Sequence, residues 1–264
     1  MIPKKLAIYN GNPKIVNGSQ NDTEAAAIFD DYDTVIFAEN SYQNNINNIV
    51  SATSAKIYGT ISATQSLSAI CTTINGWDNI GVSGIYLKNF DYSSNLNRAK
   101  QNNIVDAIHN SGLKVMANSA NPDDIFDSTI NSTYNPNGLS HHFFSDDYYL
   151  CLNFQVSNGE YVNSIEIAEK IANYPIKIAT SATMSTFSQP KSDYSYYTTA
   201  LFNFDLFSPE IVSENTLILR DRKEILGEYF TNSIAENNGI YERARNVGIG
   251  IDTNNHIAYN LLQI

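Results

Sequence analysis

The chain has 264 residues, 42% of them apolar and 11% aromatic, which is enough to bury a core and excludes both a disordered chain and a disulfide-stapled mini-protein. With 16 basic against 27 acidic side chains the formal charge is -11, the wrong sign for covering nucleic-acid phosphates, so nucleic acid is disfavoured as a partner. Apolar runs are strand-length and fall short of the ~18 residues of a membrane span, so no membrane partner is expected.

Met1 to Tyr9 holds two lysines and an apolar run too short for the core of a signal peptide, which predicts cytoplasmic synthesis without an export signal. Buried strands are then predicted at Leu6 to Tyr9, Thr34 to Ala38, Lys56 to Ile61, Gly84 to Leu87, Lys114 to Ala117, Tyr148 to Phe154 and Ile176 to Ala179, where β-branched and apolar residues cluster. Between them, Asn95 to Asn110 places Leu96, Ile104, Val105 and Ile108 near one helical face, and Ser164 to Ala172 does the same with Ile165, Ile167, Ala168 and Ile171. Ser111-Gly112 stops the first of these helices and leads into the next strand, the arrangement of a parallel βαβ unit. Seven such alternations, with an eighth strand at Asp205 to Phe207, predict an α/β fold of the (β/α)₈ TIM-barrel type over residues 1–208. Residues 209–264 read as a strand-rich extension packed on the barrel, with Thr216 to Leu219, Tyr229-Phe230 and Val247 to Ile251 as its strands and Asp252 to Asn255 as a turn. Cys71 and Cys151 fall in a helix and a distant strand and read as buried thiols. No Cys/His spacing suggests a metal and no GxGxxG or Walker loop suggests a nucleotide, so no cofactor is expected.

A barrel gathers its functional side chains where the strands end, which singles out Asn10, Glu39, Thr60, Lys88, Asn89, Asp91, Asn118, Asn121, Asp123, Asn153, Thr180 and Ser181. Several of these lie in a recognisable stretch: Gly84-Ile85-Tyr86-Leu87-Lys88-Asn89-Phe90-Asp91-Tyr92, Arg98, Gln101-Asn102, His109 to Asn118, and Asn121-Pro122-Asp123-Asp124-Ile125-Phe126. This stretch resembles the spherulin-4 family, which is similar to glycoside hydrolases of the endo-α-1,4-polygalactosaminidase type. The resemblance extends more weakly over most of the first 210 residues. It implies a barrel acting on an amino-sugar polymer with an Asp-Glu pair after the fourth strand and a carboxylate near the end of the sixth. Here those positions hold Lys88-Asn89 and Leu152-Asn153. Glycoside hydrolysis needs one carboxyl group to protonate the leaving oxygen and a second as base or nucleophile. The chain therefore reads as a hydrolase scaffold without catalysis.

Among the remaining acids, Asp123 reads as a helix cap and Asp91 as a turn residue, which leaves Glu39 as the first functional candidate. Lys88 needs a counter-charge, from Glu39 or Asp91, and reads as half of a structural ion pair rather than a Schiff-base lysine. His141-His142 reads as a packed loop and His109 as an ordinary helix-end residue. Tyr194 to Tyr197, in a polar stretch near the rim, reads as a binding surface for a sugar or a protein, with Tyr196 as its representative. The predicted role is a structural or carbohydrate- and host-surface-binding module, a phage virion part such as a tail or baseplate protein, with glycans and other virion proteins as partners. An Asn- and Ile-rich composition fits an AT-rich viral genome. The alternative is an active glycoside hydrolase on an amino-sugar polymer using Glu39, Asp91 or Asp123.

Overall fold

The computed structural model describes residues 2–211, 216–225, 233–244 and 247–262. Strands and helices alternate as β1 (Lys4–Tyr9), α1 (Asp22–Phe29), β2 (Thr34–Phe37), α2 (Asn47–Ala52), β3 (Lys56–Ser62), α3 (Leu67–Asp78), β4 (Gly84–Lys88), α4 (Arg98–Asn110), β5 (Lys114–Ala117), α5 (Asp123–Phe126) and β6 (Tyr148–Cys151). A small hairpin, β7 (Val156–Ser157) and β8 (Glu160–Tyr161), precedes α6 (Ile165–Ile171), β9 (Lys177–Met184), α7 (Gln189–Leu201) and β10 (Leu206–Ile211). All of these strands except the hairpin pair in parallel and close in the order β1-β2-β3-β4-β5-β6-β9-β10, so the chain forms the eight-stranded TIM barrel its pattern predicts. Local chemistry sets the helix ends. Asn21, Ser66 and Asn97 accept the backbone N–H of Glu24, Ala69 and Lys100, and Gly112 at φ +76° ends α4 where a side chain would be strained.

Alternation along each strand divides the apolar residues into two layers. Leu6, Ile36, Tyr58, Tyr86, Met116, Leu150 and Leu206 fill the barrel interior. Their sequence neighbours, among them Val35, Ile57, Ile85, Val115, Ile178 and Phe207, face outward into the larger core against the helices. Burying each of these side chains contributes about 1.5–3 kcal/mol, so the register of every strand is strongly specified. Both cysteines are free, and burial pushes the Cys151 thiol up to about 12.

The C-terminal extension is an antiparallel sheet, β11 (Ala235–Asn237), β12 (Ile240–Ala244), β13 (Val247–Asp252) and β14 (Ile257–Leu262). Ile249, Ile251 and Ala258 are buried in the core that continues under this sheet, and β13 and β14 pack against α7. Asp252 forms the expected turn by accepting the N–H groups of Asn254 and Asn255. Thr216 to Leu219 is not a strand: Leu217 exchanges its backbone hydrogen bonds with the side chain of Asn17 instead of with a neighbouring strand. Tyr229-Phe230 lies outside the described residues. No described helix is long and apolar enough to cross a membrane.

Candidate functional site

Side chains two apart on each strand point into the barrel, and at the C-terminal ends of the strands the last of them surround a cavity of about 370 Å³. Asn10, Glu39, Thr60 and Lys88 line it together with Ile8, Ile36, Ala38, Tyr86, Leu152 and Glu210. Lys88 Nζ lies 2.6 Å from Glu39 Oε2, so the counter-charge is supplied by Glu39 and not by Asp91. Gln65 Nε2 donates to the other Glu39 oxygen at 2.8 Å, which fixes the carboxylate from both sides. Thr60 is held by donating to Phe37 O at 2.6 Å, and Asn118 joins the mouth by accepting the Tyr86 hydroxyl at 2.9 Å.

Lys88 and Glu39 keep 40% and 25% of their side-chain surface, so their attraction is screened and is worth at most about 1 kcal/mol. Lys88→Met is accordingly expected to lower the melting temperature only slightly. Lys88→Asp should cost more, because a second carboxylate would crowd Glu39 and one of them would have to protonate. Melts of both variants at neutral pH check this; a Lys88→Asp protein as stable as the parent would place the side chain in open solvent.

Glu210 escapes the sequence reading because Pro209 looks like the end of the strand pattern. β10 instead continues to Ile211, Pro209 being tolerated opposite Ala182, and Leu206, Ser208 and Glu210 share the inward face. Ser181 Oγ donates to Glu210 Oε2 at 3.2 Å. Burial raises the Glu210 pKa, and the Ser181 hydrogen bond only partly opposes this. The carboxyl thus keeps its proton in the fold at pH values where the unfolded chain, titrating near ~4.3, has lost it, so stability falls as pH rises from the unfolded value through the folded one. Glu210→Gln should match the parent in acid and melt higher than it at neutral pH. Parallel loss in both proteins across a pH series of melts would refute this.

The remaining candidates lie elsewhere. Thr180 faces outward, where its hydroxyl meets Thr199 on α7 at 2.7 Å and Leu206 O; β9 is longer than predicted, and its inward residues are Ala179, Ser181 and Thr183. Asn153 follows β6 in a left-handed turn at φ +58° and accepts the Thr183 hydroxyl at the exposed rim, because β6 ends at Cys151 rather than Phe154. Asn89, also left-handed, is exposed beside the mouth. Asp91 accepts Ser94 N and Ser93 Oγ and is a turn cap, as its sequence context suggests. Asp123 is no cap: α5 starts on it, Asn121 accepts its N–H, and its carboxylate pairs with Lys170 and the Tyr174 hydroxyl outside the barrel. Asn121 also donates to Asp124 in that turn. Tyr196 is buried in α7, under the Arg222 guanidinium and tilted against the Phe207 ring, and presents no sugar surface.

A larger cavity, about 610 Å³, lies at the opposite end, where Tyr174 and Ile176 lead into β9, Phe202 to Asp205 lead into β10, and Tyr241 and Arg243 come from the extension. It collects no strand-end side chains from the barrel interior. Among the described residues no three His, Cys, Asp or Glu side chains are grouped to hold a metal ion.

No protein-family profile matches the chain, and no curated protein does. Among solved structures it is similar to the glycoside hydrolase domain of PelA from Pseudomonas aeruginosa at 8% identity and TM-score 0.48, over 80% of this chain and 97% of that one. It is also similar to dihydrodipicolinate synthase from Agrobacterium tumefaciens, at 14% identity and TM-score 0.47 over 78% and 69% of the two chains. The YdjI aldolase from Escherichia coli K12 is a third, at 12% identity and TM-score 0.46 over 78% and 75%. A glycoside-hydrolase barrel is thus among the neighbours, beside barrels of other chemistries. The fold alone specifies neither a reaction nor a ligand.

Proposed function

We propose that the mouth is a carbohydrate-binding site on a barrel resembling spherulin-4 and that it binds a glycan without cleaving it. The observation that carries this reading is the Lys88–Glu39 ion pair, which stands where the resemblance implies an acid pair. Both oxygens of Glu39 are engaged, by Lys88 and Gln65, so it is a fixed hydrogen-bonding group rather than a free base. Around it, Ile8, Leu152 and the Tyr86 ring offer apolar surface, and Asn10 and Thr60 offer polar groups, the mixture a sugar ring uses.

A glycan array followed by incubation with each bound polymer tests the proposal. Binding without release of reducing ends is expected. Reducing ends released above a denatured control, and lost in Glu39→Gln or Glu210→Gln, would overturn the non-catalytic reading and make the pair its acid and base. The proposed setting is a phage tail or baseplate, where a glycan-binding barrel meets a host surface; mass spectrometry of purified particles and of host cytoplasm tests it, with recovery from the cytoplasm alone as the contrary result.

A further inference from the structure

We propose that Asn10 is a modification site of the folded chain: the Gly11 nitrogen closes on the Asn10 side-chain amide, and the resulting deamidation places a new carboxylate in the barrel mouth. The reaction stands on local geometry alone, and only its effect on binding rests on the glycan reading. The sequence holds six Asn-Gly pairs, beginning at Asn10, Asn17, Asn75, Asn137, Asn158 and Asn238. In such a pair the glycine nitrogen has no side chain beside it and can approach the preceding amide carbon. It has to be released from any hydrogen bond to do so. Five of the pairs are held. Gly76 lies inside α3, where its N–H belongs to the helix. The N–H groups of Gly138, Gly159 and Gly239 donate to Asn135 O, Thr183 O and Glu236 Oε1 at 3.1, 2.9 and 2.9 Å. Asn17 is fixed through its side chain, which donates to Leu217 O and accepts Leu217 N. Asn10 is the exception. It is exposed just beyond the end of β1, and among the described residues neither its amide nor the Gly11 N–H has a hydrogen-bond partner.

The reaction needs only the chain and water. The Gly11 nitrogen forms a bond to Asn10 Cγ, the Cγ–Nδ2 bond breaks, and the proton of the attacking nitrogen leaves with the side-chain amide as ammonia, giving a cyclic imide. Water then adds across either imide C–N bond and opens the ring, leaving aspartate or isoaspartate at position 10. Asn10 lines the mouth together with Glu39, Lys88 and Glu210. The cation of this mouth, Lys88, is already paired with Glu39, so the new carboxylate gains no free counter-charge there. The position also loses a group that donates hydrogen bonds and keeps one that only accepts them.

Incubation of the full chain in mildly alkaline buffer, folded and in urea, tests the assignment, with each deamidated position located by fragment mass spectrometry. In urea all six pairs should react at comparable rates. In the folded protein Asn10 should keep that rate within a few-fold while the other five slow by about tenfold or more, and Asn10→Gln should remove the fast reaction. Slowing of Asn10 as large as that of the others, or another pair reacting as fast as Asn10 in the folded protein, would overturn the assignment. Asn10→Asp, which carries the charge of the products, should bind the array glycans that the parent retains about tenfold more weakly. Equal binding would overturn the effect on the mouth. A parent that retains no glycan would overturn the glycan reading and with it the binding effect, while the mass spectra still decide the modification.

Discussion

Asp147→Ala is expected to cost about 3–5 kcal/mol, because it strips a fully buried acceptor from three donors, among them the buried Val115 N–H. Asp147 has no exposed surface. One carboxylate oxygen accepts Val115 N at 2.8 Å; the other accepts Phe144 N at 2.7 Å and lies 3.0 Å from His109 Nε2. A single side chain therefore ties the start of β5, the long loop after α5 and the end of α4, and the Phe144 ring stacks on His109 at 3.9 Å to close the arrangement. For a chain of this size each kcal/mol is worth about 2–4 °C, so the melting temperature should drop by roughly 6–20 °C. Asp147→Asn should fall between, since it keeps one acceptor but can turn an amide N–H₂ toward a backbone donor. Glycan binding by the folded fraction should be unchanged. An alanine variant melting within a degree of the parent would mean that water or another group satisfies these donors.

The second large effect concerns Trp77 and Gly59. Trp77 is buried on α3, its ring edge-on to Tyr42 at 5.2 Å and flat against the outward side of β3. A Cβ at Gly59 would lie 2.1 Å from the indole Cδ2, so only glycine lets the ring approach the strand. Trp77→Ala should cost about 3–5 kcal/mol through lost burial and an unfilled cavity, and Gly59→Ala about 1–3 kcal/mol through overpacking. In the double variant the added methyl enters the space the indole leaves, so the combined loss should be smaller than the sum by about 1 kcal/mol or more. Chemical denaturation of the four proteins measures this; strict additivity would show that the ring does not rest on Gly59.

The eight barrel strands could be read from the sequence because parallel strands buried on both faces are written as short β-branched runs. Strand ends were less legible, and at the mouth one residue of register decides which way a side chain points. Placing the end of the seventh run at Ala179 puts Thr180 on the rim, whereas the observed strand continues and turns Ser181 inward. Glu210 was hidden for a related reason: a proline conventionally ends a strand, yet Pro209 sits within β10. α7 was illegible as a helix because it is buried between barrel and extension and has no polar face. Its Ser195 hydroxyl bonds Phe154 O, while those of Thr198 and Thr199 bond carbonyls one turn back, so Ser-Tyr-Tyr-Thr-Thr reads as a polar surface while being core. Lys88 and Glu39 were predictable together because a cation ending a buried strand needs a nearby anion, and Glu39, two residues after β2, is one of the few that can supply it.

The central claim is that the ligand enters the barrel mouth rather than the larger groove beneath the extension. Isoleucine-methyl NMR during titration with a glycan retained on the array tests it directly, because Ile8 and Ile36 line the mouth and Ile171, Ile176 and Ile178 line the groove. Saturable shifts confined to Ile8, Ile36 and their immediate neighbours are the predicted result. Shifts at Ile171, Ile176 and Ile178 with Ile8 and Ile36 unmoved would contradict the account.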